Sequence, residues 1–130
     1  MTKAKTYNHG VPWEKEFSVT QAYSVNGTIY IAGQFSHNME GEFVGEGDIK
    51  RQTRQTLENL DRVLEGFGVT KSNIADLEIY LTRTQEDFEP VVSVYKEYIG
   101  DHRPAVTLIG VSGLAFPEQL VEIRAVAHTD

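Results

Sequence analysis

Residues 17–25 and 28–33 are two runs rich in β-branched and aromatic side chains, and the dipeptide Asn26-Gly27 separates them. Asn-Gly accepts positive φ at both central positions of a type I′ turn, so the pattern predicts a β-hairpin. From Asp48 the period changes. Ile49, Thr53, Leu57, Leu60, Val63, Leu64 and Phe67 recur at spacings of three and four, which predicts an amphipathic helix of about five turns. Asp48 is placed to cap its free amides, and Gly66 or Gly68 to end it.

Residues 74–82 alternate, with Leu77, Ile79 and Leu81 on one side and Asp76, Glu78, Tyr80 and Thr82 on the other. This is the pattern of a half-buried strand. A second helix follows, with Phe88, Val91, Val92, Tyr95, Tyr98 and Ile99 as its apolar stripe, Asp87 as its cap and Pro90 in its first turn; Gly100 and Pro104 stop it. Two strands close the chain, near 105–111 and 119–128. Strand, strand, helix, strand, helix, strand, strand predicts an α+β domain with two helices packed on one face of a mixed sheet. The other face then needs water or another subunit, and several of its residues are too apolar for water.

The 130 residues fit a single domain, 1–130. Twelve basic against nineteen acidic side chains give a formal charge of −7. That field repels phosphate backbones and anionic headgroups, so no nucleic-acid partner is expected. No apolar run reaches the roughly 20 residues of a membrane helix, and no apolar block follows the charges of Met1, Thr2, Lys3, Ala4 and Lys5. No membrane association and a cytoplasmic location are expected. The chain has no cysteine, so chemistry must use oxygen or nitrogen groups. His9, His37, His102 and His128 show no paired ligand spacing, and the acidic clusters lack a calcium-loop layout. No metal and no cofactor are expected.

The segments Gln21–Gln34, Gln52–Leu60, Asp101–Thr107 and Leu120–His128, with Ala32-Gly33-Gln34 and Arg103-Pro104-Ala105 within them, closely resemble the Rid family, the YjgF-like reactive-intermediate deaminases. The resemblance covers most of the chain. It implies a chorismate-mutase-like fold, assembly as a homotrimer, and ligand clefts between adjacent subunits. It also implies hydrolysis of enamines and imines to a carbonyl compound and ammonia. Some relatives carry an endoribonuclease label, a reading that the net acidity opposes.

By the same resemblance, Glu122 matches the glutamate that orients the attacking water. Standard members have an arginine after Pro-Ala, whose planar fork suits a substrate carboxylate; here the residue is Val106. Val19 stands where a cleft tyrosine is usual, and Ala32 where a serine is. These departures point to a more apolar cleft and away from the usual 2-imino acids, or to a small-molecule-binding trimer that has lost turnover. Arg124, two residues beyond Glu122 on the same strand face and about 6–7 Å away, is a candidate replacement cation; an ion pair with an acidic neighbour is the simpler account. Arg103 resembles a position that is often basic or aromatic, at the cleft or merely at the subunit rim. Gly33, lacking Cβ, admits a ligand or a neighbouring chain close to its backbone, or serves packing alone. Thr107 brings a hydroxyl beside Val106, or simply a β-branched strand residue.

Overall fold

A computed structural model describes residues 4–130; Met1, Thr2 and Lys3 at the charged N-terminus lie outside the described residues. In chain order the elements are β1 (Lys5–Tyr7), α1 (Pro12–Glu16), β2 (Ala22–Val25), β3 (Thr28–Gln34), α2 (Ile49–Gly66), β4 (Ile74–Leu81), α3 (Thr84–Ile99), β5 (Ala105–Gly110) and β6 (Val121–His128). The strands form one six-stranded sheet in the order β1-β2-β3-β6-β4-β5. Only β4 and β5 run parallel, joined by the crossover helix α3. The sheet is mixed and the fold is α+β, as the pattern predicts.

The hairpin forms where expected. Asn26 and Gly27 take φ of 50° and 79°, and Val25 pairs with Thr28. Helix α2 starts after Asp48, whose carboxylate accepts from the Arg51 amide at 3.1 Å, and the chain leaves it through Gly68 at φ 72°. Its buried face carries Leu57, Leu60, Val63 and Leu64. These pack on Ile29, Ile31, Leu77, Ile79, Ile123 and Ala125 of the sheet and on Val91 and Val94 of α3. Each such side chain contributes about 1.5–3 kcal/mol on leaving water, and truncating Leu60 to alanine would cost about 2–5 kcal/mol. Both long helices therefore cover the same sheet face.

Five local expectations are corrected. The first strand of the hairpin begins at Ala22, because residues 12–16 form α1 and residues 17–19 turn out of it, with Ser18 at φ 58°. Pro12 opens α1, where its fixed φ is favourable and its missing N–H costs nothing. Asp87 is not the cap of α3. Arg83 holds the cap position, and the buried Asp87 carboxylate lies inside the first turn, accepting from Arg83 Nη2 at 3.0 Å and Nε at 3.1 Å. With Asp87 on the buried face, the stripe is shifted: Phe88 is 47% exposed and Val94, outside the expected stripe, is buried. Pro90 sits in the second turn, where it forgoes a bond to the Glu86 carbonyl. The last strand starts at Val121, leaving Gln119 in the preceding loop.

Candidate functional site

The sheet face away from α2 and α3 is organised in rows set by strand register. Arg124 pairs with Glu78 and Glu122 with Tyr80 across β6 and β4; Glu78 pairs in turn with Thr107 and Tyr80 with Ile109 across β4 and β5. Paired residues project to the same side of a sheet, so Thr107, Glu78, Arg124 and Glu122 share the open face. On β3 the register slips between Ile31 and Gln34. The bulge keeps both of those side chains inward and places Gly33 beneath Glu122. A Cβ on Gly33 would lie 2.7 Å from Glu122 Cδ, so only glycine leaves room for the carboxylate there.

The loop before β6 supplies a second constraint. Gln119, buried between that loop and the sheet, donates from Nε2 to Glu122 Oε1 at 3.1 Å and to the Val121 carbonyl at 3.2 Å. Its backbone is pinned from α2: Gln52 Nε2 donates to the Glu118 carbonyl at 3.1 Å, and Gln52 Oε1 accepts from the Leu120 amide at 2.9 Å. One carboxylate oxygen is thus tied and the other lies over Gly33. A carboxylate held this way is suited to taking a proton from a water molecule and returning it.

Arg124 is engaged within its own chain. Its Nη1 donates to Glu78 Oε1 at 3.1 Å, and the Tyr80 hydroxyl donates to the same oxygen at 2.6 Å. The Tyr80 hydrogen bond, with Arg124 second, holds the Glu78 carboxyl below the usual carboxylate range, and the same bond pushes the Tyr80 phenol up. Beside Arg124 a shallow depression is bordered by Gln21, Tyr23, Tyr30 and Ala32. A groove on the far side of the sheet, between α2 and α3, is crossed by a Tyr98–Asp61 hydrogen bond and lies away from Glu122.

The expected site residues separate into groups. Gly33, Glu122, Arg124 and Thr107 come together on the open face. Val106 does not join them within one chain: it pairs with the core residue Leu77, and Gly110, four residues on in β5, faces Thr84 at the start of α3. Val106 therefore projects to the helix side, 41% exposed, on a strand at the sheet edge. Val19 stands in the exposed turn after α1, with its amide bonded to the Glu14 carbonyl at 2.9 Å. Arg103 is exposed in the turn after α3.

Sequence reasoning missed Gln119, which it took for the first residue of a strand. It also missed an aromatic wall in which Phe35 packs on Trp13 and on Phe116, each at 5.3 Å between ring centroids, and Phe43 packs on Phe116 at 6.3 Å. Phe35 directly follows Gly33-Gln34, and the Phe116 carbonyl accepts from the Gln119 amide at 3.1 Å. The only signal was the aromatic residue directly after Gly33-Gln34. Among the described residues no group of three or more His, Asp or Glu side chains could hold a metal ion, and no helix is long and apolar enough to cross a membrane.

Comparison with known proteins places this geometry in a family. A RutC family protein of Pyrococcus horikoshii is 35% identical over 111 residues, 85% of this chain and 86% of its own. A 3-aminoacrylate deaminase, RutC, of Acinetobacter baylyi is 32% identical over 107 residues, covering 82% and 83%. The crystal structure of YyfA from Yersinia pestis, described as a protein of unknown function in the Rid family, is 36% identical, covers 85% of this chain and 86% of that one, and aligns with a TM-score of 0.79. With residues 14–129 also matched by the sequence model of Endoribonuclease L-PSP, the chain belongs to that family, in which the YjgF-like and Rid proteins stand.

Proposed function

We propose that this chain, as a single domain over residues 1–130, is a hydrolytic deaminase of a reactive enamine, imine or related C–N compound. The observation that carries the reading is the Glu122 carboxylate, seated over Gly33 with one oxygen tied by Gln119. A protonated imine has an electrophilic carbon. Glu122 takes a proton from water as the water oxygen bonds to that carbon, giving a carbinolamine. Glu122 returns the proton to nitrogen, and the carboxylate then takes the hydroxyl proton as the C–N bond breaks, leaving a carbonyl compound, ammonia and a protonated Glu122 that passes its proton to the next imine or to water. No step needs a cofactor. The name of the Acinetobacter relative supports the reaction class.

The substrate class follows from position 106. Val106 offers no charge, and Arg124 is already met by Glu78. Desolvating a carboxylate without a partner is strongly unfavourable, so the preferred substrate is not a standard 2-imino acid. Val106 and Glu122 lie on opposite sides of one sheet, which supports a cleft assembled between subunits; the assembly proposed is a homotrimer, and the location proposed is the cytosol. The half-exposed Tyr23 and Tyr30 on the open face support such an assembly.

Ammonia release from freshly generated imines, with and without a carboxylate, tests the proposal on wild type, Glu122→Ala and Val106→Arg. Turnover by wild type and its loss in Glu122→Ala are expected, with 2-imino acid activity gained in Val106→Arg. An inert wild type with an active Val106→Arg would favour a second reading, a small-molecule-binding trimer, for which the pairing of Arg124 with Glu78 already speaks. A net charge of −7 weighs against RNA cleavage.

A further inference from the structure

We infer that Gln119 is a positioning residue for Glu122, an inference that rests on the hydrolytic reading above. The Gln119 side chain is 1% exposed. Its Nε2 has two neighbours, the Glu122 carboxylate and the Val121 carbonyl, and both are acceptors. The amide orientation is therefore fixed by chemistry, with NH2 toward Glu122. The other end of the amide has no such reason to be there. Oε1 is buried and meets no hydrogen-bond donor of the protein.

A buried amide with its oxygen unmet is a net cost to the fold. A leucine or methionine of similar size would fill the space without it. One Nε2 hydrogen serves the Val121 carbonyl and the other the Glu122 carboxylate, so glutamine at this place serves the carboxylate as well as the fold. Nor is the amide loosely held. Gln52 bonds to residues 118 and 120 on either side, and the Thr82 amide bonds to the Leu120 carbonyl at 3.2 Å. Helix α2 and Thr82, the residue after β4, both fix the backbone from which Gln119 reaches Glu122.

The consequence is a carboxylate with assigned oxygens. Gln119 occupies Oε1 and sets the plane of the group; Oε2, over the bare Cα of Gly33, is the oxygen left to handle water. Removing the amide frees the Glu122 torsions, so the reacting oxygen spends less time in place. Substrate contacts elsewhere in the cleft are unchanged, and the loss falls on kcat rather than KM.

The test uses the full chain with Gln119→Leu and Gln119→Met, assayed by ammonia release from a freshly generated imine that lacks a carboxylate. Expected is a fall in kcat of about 10- to 100-fold with KM within about twofold and a melting temperature within about 4 °C of wild type. A structural role would instead lower the melting temperature and leave kcat of the folded fraction intact. A second measurement is independent of turnover: the side-chain amide resonance of Gln119, assigned by its absence in either variant, shifts in Glu122→Ala. Wild-type kcat in both variants, or an amide resonance unmoved by Glu122→Ala, overturns the inference. If wild type releases no ammonia, the hydrolytic reading fails by itself, and the amide resonance still decides whether Gln119 holds Glu122.

Discussion

Arg124 and Glu78 face each other across the β4–β6 pairing, with Nη1 and Oε1 3.1 Å apart. The Tyr80 hydroxyl shares the same carboxylate oxygen. Arg124, on the same face as Glu122, therefore has its charge answered before any ligand arrives, and it cannot stand in for an arginine at position 106 without losing Glu78. Arg124→Ala is expected to leave KM for carboxylate-bearing imines within about twofold of wild type. Glu78→Gln, which releases the guanidinium, is expected to lower that KM by roughly fivefold or more. A tenfold rise in KM for Arg124→Ala would make Arg124 the ligand's cation after all.

Gly33→Ala separates room for the carboxylate from stability of the bulge. The added methyl meets the end of the Glu122 side chain rather than backbone, so the side chain swings aside and the strand stays. The expected result is a melting temperature changed by less than about 4 °C with kcat lowered about 10- to 100-fold. Unaltered kcat would mean that Glu122 works from a different rotamer or not at all.

The long elements were legible because their periods are long. Helix α2 repeats its apolar positions over 18 residues, and β4 alternates over eight; Asn26-Gly27 announced its own turn. Strand β1 has three residues and α1 five, too few for any period to show. Asp87 misled because an acid near a helix start looks like a cap; Arg83 lies four residues before it, a spacing the sequence shows, but the burial of Asp87 follows only from how α3 packs. Glu122 was legible by resemblance and by strand parity. Gln119 was not, because its role depends on a loop that turns its side chain back toward a residue three positions on. Val106 was legible as a missing charge, but which side of the sheet it takes follows only from β5 pairing in register with β4.

Glu14, in α1, ties the chain before that helix to the start of the hairpin. Its carboxylate accepts from the amides of His9, Gly10 and Val11 at 2.8, 3.0 and 3.1 Å and from Gln21 Nε2 at 2.8 Å. Gln21 accepts from Gln34 at 2.9 Å, and Gln34 meets the His9 ring at 2.8 Å, closing a buried polar ring. Glu14→Gln exchanges two of the four acceptor sites for donors facing donors. It is expected to lower unfolding free energy by about 2–3 kcal/mol in urea titrations. A loss below about 0.5 kcal/mol would show that the ring tolerates rearrangement.

His9 and His37 sit beside this ring with their imidazoles 5.4 Å apart. Burial pushes both below the ordinary histidine value of 6.5; for His9 the Gln34 bond and for His37 the Asn38 carbonyl oppose it, Glu14 opposes it for both, and Arg62 adds to the lowering. Between the folded and unfolded values the unfolded chain holds more protons, so unfolding free energy falls as pH drops from about 7 through this window and levels once both rings are charged in the fold. His37→Phe keeps the ring contacts with Trp13 at 4.8 Å and Phe35 at 4.9 Å but removes one titration and the bond to Asn38 at 2.7 Å. The variant is expected to be less stable at about pH 7.5 and to lose less on going to about pH 5.5, its slope smaller by up to about 1.4 kcal/mol per pH unit. Parallel stability curves for the two proteins over that range would show that His37 does not titrate with unfolding.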